Sequence, residues 1–149
     1  MGYFDALDIA ASGLSAQRLR MDIISENIAN ISTTRTSQGT PYRRKVVVFE
    51  AQDNNVRFSE LLTESGKKNP LNQGGGVKAT KIVEDPSPFK KVYDPGHPDS
   101  NEEGFVEMPN VDTVTEMINM ISASRSYEAN VTSINATKSI ALKALEIGR

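Results

Sequence analysis

The sequence contains no cysteine and no tryptophan, and His97 is its only histidine. Without cysteine the chain can form no disulfide, no thiolate metal site and no cysteine nucleophile. A cysteine-free chain suits an oxidising compartment as well as a reducing one, so the compartment stays open. Four tyrosines and five phenylalanines are the only aromatic residues among 149. A large private hydrophobic core is therefore not expected.

Long apolar runs and a strong charge of one sign are also missing. No apolar run approaches the roughly 20 residues that cross a bilayer. The formal net charge is −2, and this mild acidity argues against nucleic acid as the main partner, because phosphate binding usually needs a basic excess. The first residues lack the basic and apolar regions of a cleaved signal peptide, so we expect none. The length suits one domain, or one helical module with a small insert.

Residues that could carry catalysis or bind a cofactor are isolated from one another. His97 lies in a Pro-Gly-rich loop and has no second histidine for a zinc site or a triad. The pairs Glu84-Asp85 and Glu102-Glu103 are adjacent in loops, and nothing places them across a cleft. Gly74-Gly75-Gly76 lacks the Lys-Ser/Thr of a phosphate loop and is predicted to be a hinge. We therefore expect no enzyme activity, metal or cofactor.

What the sequence does contain is helical periodicity at both ends. Apolar residues recur every seven positions at Leu7, Leu14, Met21 and Ile28, which predicts a helix over 3–31. Steps of three and four residues predict a second helix over 111–147, with its apolar positions at Met117, Met120, Tyr127, Val131, Ile134, Ala141 and Leu145. Asn110 is its predicted N-cap, with a Thr113–Glu116 capping box as the competing start.

The segment between the helices is rich in Gly, Pro, Asn and charge and is predicted to contain short strands. Residues 42–50 and 77–83 are predicted strands, and 89–93 is expected to pair with 77–83 as a hairpin. Residues 57–62 are ambiguous between strand and helix, and 94–104 form a polar loop. The predicted fold class is mainly α with a small β-rich insert, in which the terminal helices pair as an antiparallel coiled coil. The predicted segments are 1–34, 35–108 and 109–149, with the two ends packing together as one helical domain.

Both helices carry apolar residues on more than one side. Ile9, Ala16 and Ile23 form a second row on the first helix, and Val114, Ile118 and Ile121 widen the apolar face of the second. An antiparallel pair would bury only one row of each helix. Each exposed Leu or Ile forfeits roughly 1.5–3 kcal/mol, so we predict assembly with other chains. The alternative is that the middle segment folds back and covers these rows.

Motifs at both ends resemble those of bacterial flagellar axial proteins, and in particular of basal-body rod proteins. The N-terminal motifs are Ser25-Glu26-Asn27-Ile28-Ala29-Asn30-Ile31-Ser32-Thr33-Thr34, Thr34-Arg35-Thr36, Pro41-Tyr42-Arg43-Arg44-Lys45 and Val48-Phe49-Glu50-Ala51. The C-terminal motifs are Pro109-Asn110-Val111, Glu116-Met117, Met120 to Val131 and Asn135 to Ser139. The resemblance covers roughly residues 4–51 and 104–149.

The resemblance implies a structural subunit of the proximal rod of the flagellar basal body, part of the drive shaft that transmits motor torque across the periplasm. The implied partners are copies of the chain, rod proteins of the FlgB, FlgF, FlgG and FliE types, and the flagellar type III export apparatus. Neither nucleic acid nor direct membrane insertion is implied. Predicted assembly-interface residues are Leu7, Leu14, Met21, Asn27, Ile28, Asn30, Arg43, Arg44, Met117, Met120, Tyr127, Val131, Ile134 and Leu145.

Polar residues near the end of the first helix have specific predicted roles. Asn27 and Asn30 are expected to satisfy backbone or side-chain groups where the first helix meets the loop, since an unpaired buried amide is costly. Arg43-Arg44-Lys45 is expected to protect a strand edge or to contact the acidic run 94–107 of an adjacent subunit. For the whole chain, two other interpretations stay open: a soluble two-helix adaptor that binds a single partner, and a small hydrolase that uses the middle segment.

Overall fold

The fold consists of two long helices with two small antiparallel sheets between them. In a computed structural model, residues 3–52 and 75–147 are described. The elements, in chain order, are α1 (Tyr3–Ala29), β1 (Lys45–Ala51), β2 (Val77–Glu84), β3 (Lys90–Tyr93), β4 (Phe105–Met108) and α2 (Thr113–Ile147). The predicted fold class is confirmed. The ambiguous segment 57–62 and Gly74 of the predicted hinge lie outside the described residues.

The helices pair antiparallel, as predicted. Asn27 near the end of α1 contacts Glu116 at the start of α2, and Gly13 of α1 lies against Asn130 further along α2. Ala123, between these two points on α2, is completely buried. The face of α2 turned toward α1 repeats every seven residues, and its members are Glu116, Ala123, Asn130 and Thr137, with Met120, Tyr127, Ile134 and Ala141 beside them. Small and polar residues thus make up much of this helix–helix seam.

The β1–β2 ribbon covers the second apolar row of α1. Both strands contact α1, and Ala16 and Ile23 of that row are buried. The N–H of Val77 donates to the hydroxyl of Ser12 at 3.0 Å. Gly76, with φ +93°, abuts the same hydroxyl so closely that a side chain there would have no room. The prediction that leftover rows stay exposed is therefore wrong for α1, because the middle segment folds back onto it.

The corresponding row of α2 remains exposed. Val114, Met117, Ile118 and Ile121 are 65, 53, 61 and 54% exposed. At 3.6 residues per turn Val114, Ile118 and Ile121 lie on the side of α2 opposite the seam with α1, and Met117 lies beside them on the flank of the helix. We call this surface the outer face of α2. For this helix the prediction of an uncovered apolar row is confirmed.

The strands pair differently from the prediction. β1 pairs with β2, and β3 pairs with β4, each antiparallel. The predicted hairpin between residues 89–93 and β2 is wrong. The loop after β3 returns the chain through Gly104, at φ +80°, and the Tyr93 and Phe105 rings then meet edge to face with centroids 5.3 Å apart. This local turn and aromatic contact favour the later strand as the partner of β3.

One strand boundary differs from the prediction for a reason visible in the hydrogen bonds. β1 begins at Lys45 rather than at Tyr42, because the preceding backbone is bonded elsewhere. The N–H of Tyr42 donates to the carbonyl of Thr33 at 3.1 Å. The N–H of Arg44 donates to Oδ1 of Asn110 at 2.8 Å.

The N-cap of α2 is Asp112, so the predicted caps at Asn110 and Thr113 are both wrong. Oδ2 of Asp112 accepts hydrogen bonds from the N–H and the hydroxyl of Thr115, at 2.9 and 2.7 Å. These two bonds lower the pKa of the Asp112 carboxyl. Asn110 is unavailable as a cap because its side chain bonds to the chain around β1 and β2.

The contact between Gly13 and Asn130 predicts coupled effects on stability. A Cβ added at Gly13 would lie 2.8 Å from Nδ2 of Asn130. Replacing a mid-helix glycine by alanine normally stabilises a helix by about 1 kcal/mol. We expect Gly13→Ala to yield this full gain only in an Asn130→Ala background, and a smaller gain when the Asn130 amide must move. Urea unfolding followed by circular dichroism measures both, and equal gains in the two backgrounds would contradict the close approach.

Candidate functional site

A buried group of polar residues joins α1, β1 and α2, and Asn27 is at its centre. The Asn27 amide Nδ2 donates to the Lys45 carbonyl at 2.9 Å and to Oε2 of Glu116 at 3.0 Å. Its Oδ1 accepts from the Lys45 N–H and from the Tyr42 hydroxyl, both at 2.9 Å. Both donors and both acceptor positions of this amide are thus used. We call Asn27, Tyr42, Arg44, Lys45 and Glu116 the polar cluster.

The charge of the cluster is balanced inside the chain. The Glu116 side chain is fully buried, and its Oε1 accepts from Nε and Nη2 of Arg44 at 2.9 and 2.7 Å. Burial alone would lower the pKa of Arg44, but its contacts with Glu116 and Asp85 outweigh burial and raise that pKa. A buried ion pair of this kind adds little net stability. Removing one partner, however, leaves the other as an unpaired buried charge and costs several kcal/mol.

Tyr42 is held in its neutral form. Burial raises the pKa of the Tyr42 phenol to about 12, and the carboxylates of Glu26, Glu116 and Glu84 act in the same direction. The neutral phenol is also the only form that can donate its proton to Asn27. Lys45 lies beside this group, with its ammonium 5.7 Å from the centre of the Tyr42 ring and paired with Glu26.

A second layer of contacts anchors the cluster to the segment after β2. Nη1 of Arg44 lies 3.4 Å from Oδ2 of Asp85, and the amide of Asn110 donates to the carbonyls of Asp85 and Ser87 at 3.1 and 3.2 Å. The hydroxyl and N–H of Ser87 lower the pKa of the Asp85 carboxyl, and Arg44 lowers it further. Three separate parts of the chain are therefore fixed around one buried carboxylate.

The prediction for the two asparagines is confirmed as far as hydrogen bonding within the chain is concerned. Asn27 bonds to both the N–H and the carbonyl of Lys45. Asn30 donates to the carbonyl of Glu26 at 2.9 Å and accepts from the hydroxyl of Thr33 at 3.1 Å. These bonds end α1 and turn the chain toward β1.

The basic residues at the start of β1, which are Arg43, Arg44 and Lys45, all have partners within the chain. The Arg44 and Lys45 charges are paired with Glu116 and Glu26, and the Arg43 guanidinium lies over the Phe89 ring, 4.5 Å from its centroid. The predicted contact with the acidic run of another subunit would therefore have to compete with internal partners.

The other predicted interface residues divide into two groups. Those that are half-buried along the helix pair are Leu7, Leu14, Met21, Ile28, Met120, Tyr127 and Ile134. Met117, Val131 and Leu145 are exposed. The sequence did not predict four members of the polar cluster and its second layer, namely Tyr42, Asp85, Asn110 and Glu116. The burial of Glu116 could have been predicted, because it lies in the same seven-residue row as Ala123 and Asn130. A charged residue in a buried row needs a partner.

Other candidate chemistry is sparse in the described parts of the chain. Nδ1 of His97 accepts a hydrogen bond from the N–H of Asp99 at 3.1 Å, a contact within the loop. Among residues 3–52 and 75–147, no group of three or more potential metal ligands occurs. Neither described helix is long and apolar enough to cross a membrane.

Removing the Asn27 amide tests the cluster. Asn27→Ala leaves the Tyr42 hydroxyl, the Lys45 backbone and Oε2 of Glu116 without their partner. We expect the free energy of unfolding to fall by about 2 to 4 kcal/mol. Asn30→Ala is the matched control, about one turn later, and should cost about 1 kcal/mol or less. Equal losses in urea unfolding would show that Asn27 is not the centre.

The raised pKa of Tyr42 predicts that the folded chain loses stability at alkaline pH. Its pKa is about 12 in the folded chain and about 10 in an unfolded one. A raised pKa of this kind contributes stability, about 2 to 3 kcal/mol, that is fully present below pH 10 and is lost as pH rises toward 12. Ellipticity and phenolate absorbance followed from pH 9 to 12.5 measure it. Tyr42→Phe should lack this pH-dependent loss; an unchanged profile would contradict the assignment.

The ends of the chain match two protein families. The family described as "Flagella basal body rod protein" matches residues 7–35, which cover most of α1. The family described as "Flagellar basal body rod FlgEFG protein C-terminal" matches residues 102–147, which cover β4 and α2. These ranges include the polar-cluster residues Asn27 and Glu116.

Full-length relatives show the same family. "Flagellar basal-body rod protein FlgC" of Bacillus subtilis (strain 168) is 50% identical over the whole of both chains. The protein of that name from Borreliella burgdorferi is 48% identical over 99% of this chain and 98% of its own, and that of Salmonella typhimurium is 40% identical over the whole of both. The predicted resemblance is thereby confirmed, and the chain belongs to the FlgC family of flagellar basal-body rod proteins, which are structural subunits of that rod.

Proposed function

We propose that this chain assembles, with copies of itself and with other rod proteins, into the proximal rod that transmits motor torque. The observation that carries the proposal is the outer face of α2. Val114, Met117, Ile118 and Ile121 are more than half exposed. Because these side chains are only part-exposed, burying each of them against another chain would regain roughly half of the 1.5–3 kcal/mol of a fully exposed side chain. Such an exposed apolar surface is expected in a structural subunit, because neighbouring subunits cover it in the assembly.

The arrangement of helices suits a shaft. Helix α2, with 35 residues, extends roughly 50 Å at 1.5 Å per residue. Side-by-side helices with dense interfaces resist deformation, because packed interiors have low compressibility. Contacts between different surfaces of successive copies build an open helical array when the rotation from one copy to the next does not close a ring. The half-buried residues Leu7, Leu14, Met21 and Ile28 of α1 would support such contacts from within each subunit.

We also propose where in the cell the chain is assembled and how it is exported to that place. A rod that crosses the periplasm requires that its subunits pass the inner membrane, and we propose the flagellar type III export apparatus as that route. The family membership supports this part of the proposal. We also propose that residues 1–34 and 109–149 act as one helical unit, with 35–108 as the insert between them.

Charged substitutions on the outer face test the proposed assembly. Ile118→Asp with Ile121→Asp changes two exposed residues, so the purified chain should keep its helical content and unfold within about 1 kcal/mol of wild type. In cells the same variant should fail to complete the rod and should not swim. Ile118→Leu, which keeps the apolar surface, is the control and should swim.

A contrasting variant separates folding from assembly. Leu14→Asp places a charge at a half-buried position of α1 and should reduce both the stability of the purified chain and motility. If Ile118→Asp/Ile121→Asp cells swim normally and contain complete rods, the outer face is not an interface. A single-partner adaptor would then explain the chain better.

A further inference from the structure

One arginine of α1 is shielded from water but has no partner inside the described chain. Arg20 is half-buried, and among residues 3–52 and 75–147 its side chain forms no ion pair, hydrogen bond or ring contact. Every other lysine or arginine in these ranges is either exposed or has a partner within the chain. A guanidinium carries five N–H donors and a permanent charge. A shielded polar group without an acceptor is costly and marks a missing water or ion.

Arg20 lines a cavity of about 90 Å³ between α1, β1 and α2. Ile23, Ile24 and Val47 provide apolar walls, and Asn119 lines the cavity from α2. A volume of this size admits a few waters or one carboxylate group and is too small for a nucleotide or a sugar. The apolar walls reduce screening, which strengthens an ion pair formed inside them.

The other charges around this cavity are already balanced. Arg44 pairs with Glu116 and also contacts Asp85, and Lys45 pairs with Glu26. Both carboxylate oxygens of Glu116 accept hydrogen bonds within the polar cluster. Of the charged side chains that line the cavity, only the guanidinium of α1 has no counter-ion in the described ranges. The missing ligand is therefore an anion.

We propose that Arg20 and this cavity bind a carboxylate group, with two N–H groups of the guanidinium donating to its two oxygens. The planar fork of arginine matches a carboxylate better than it matches a spherical ion. Asn119 is a second donor, because its present hydrogen bond to Oε1 of Glu116 is long, at 3.5 Å. The carboxylate can belong to an acidic side chain of an adjacent rod subunit or to a free acid. Only the first source rests on the proposed function.

Nitrogen-15 NMR of the purified chain tests the site, with sodium acetate as the probe. The Nε–Hε signal of Arg20 should shift saturably as acetate is added, whereas sodium chloride at the same ionic strength should give a smaller shift that does not saturate. Arg18 is the matched control, since it is exposed and lies about 200° around the same helix. Its signal should respond weakly to both salts. An Arg20 shift that only equals that of Arg18, or that chloride reproduces, would overturn the carboxylate site.

A neutral substitution shows where the carboxylate comes from. Arg20→Gln removes a charge that has no internal partner, so the purified variant should unfold at the same urea concentration as wild type. With an adjacent subunit as the source, Arg20→Gln cells should contain roughly tenfold fewer complete rods, the factor expected for a lost hydrogen bond to a charged group. Arg18→Gln cells should contain normal numbers.

The remaining outcomes separate this site from the proposed function. Normal rod numbers in Arg20→Gln cells, together with a saturable acetate shift in the wild-type chain, would identify a free acid as the ligand. A large fall in the urea midpoint of Arg20→Gln would reveal an internal partner and overturn the site. Absence of the wild-type chain from isolated basal bodies would refute the proposed function and leave the acetate result standing.

Discussion

The buried hydrogen bond between the Asn27 amide and the Glu116 carboxylate is the contact on which the rest of this fold depends. It joins the end of α1 to the beginning of α2 and so fixes which residues face each other along the whole helix pair. The cost of burying Glu116 is offset because Arg44, Asn27 and Asn119 all donate hydrogen bonds to its carboxylate. Because Arg44 and Lys45 are adjacent in the chain, the same carboxylate also fixes where β1 starts.

This arrangement makes the molecule asymmetric. At the cluster end, charged and amide groups are satisfied by several parts of the chain. Toward the other end the seam relies on small and polar residues such as Gly13 and Asn130, and α2 continues beyond α1. Apolar surface is left on the outer face of α2, while α1 is covered on both sides by α2 and by the β1–β2 ribbon. A subunit built this way has one firmly connected end and several surfaces that other chains can cover, as a rod subunit requires.

The sequence predicted what depends on local periodicity. Leu7, Leu14, Met21 and Ile28 indicated α1, and the three- and four-residue steps of α2 indicated the second helix and the antiparallel pair. It did not predict features in which residues far apart in the chain compete for the same strand or hydrogen-bond partner. β3 had two possible partners, and the choice depended on a turn and an aromatic contact. Asn110 looked like a cap, but its amide is used by residues far away in the chain. Arg44 was expected to protect a strand edge or to contact another subunit, because its actual partner, Glu116, is 72 residues away in the chain.

Residue-resolved hydrogen exchange of the isolated chain tests most directly whether the polar cluster holds the fold together. The backbone amides nearest the cluster, in α1 around Ile23 to Asn27, at Lys45 and in the first turns of α2, should exchange most slowly. Protection should fall steadily toward the start of α1 and the end of α2, since opening there leaves the cluster intact. Amides near the end of α2 that exchange as slowly as those beside Asn27, or an absence of protection around Asn27, would contradict the account.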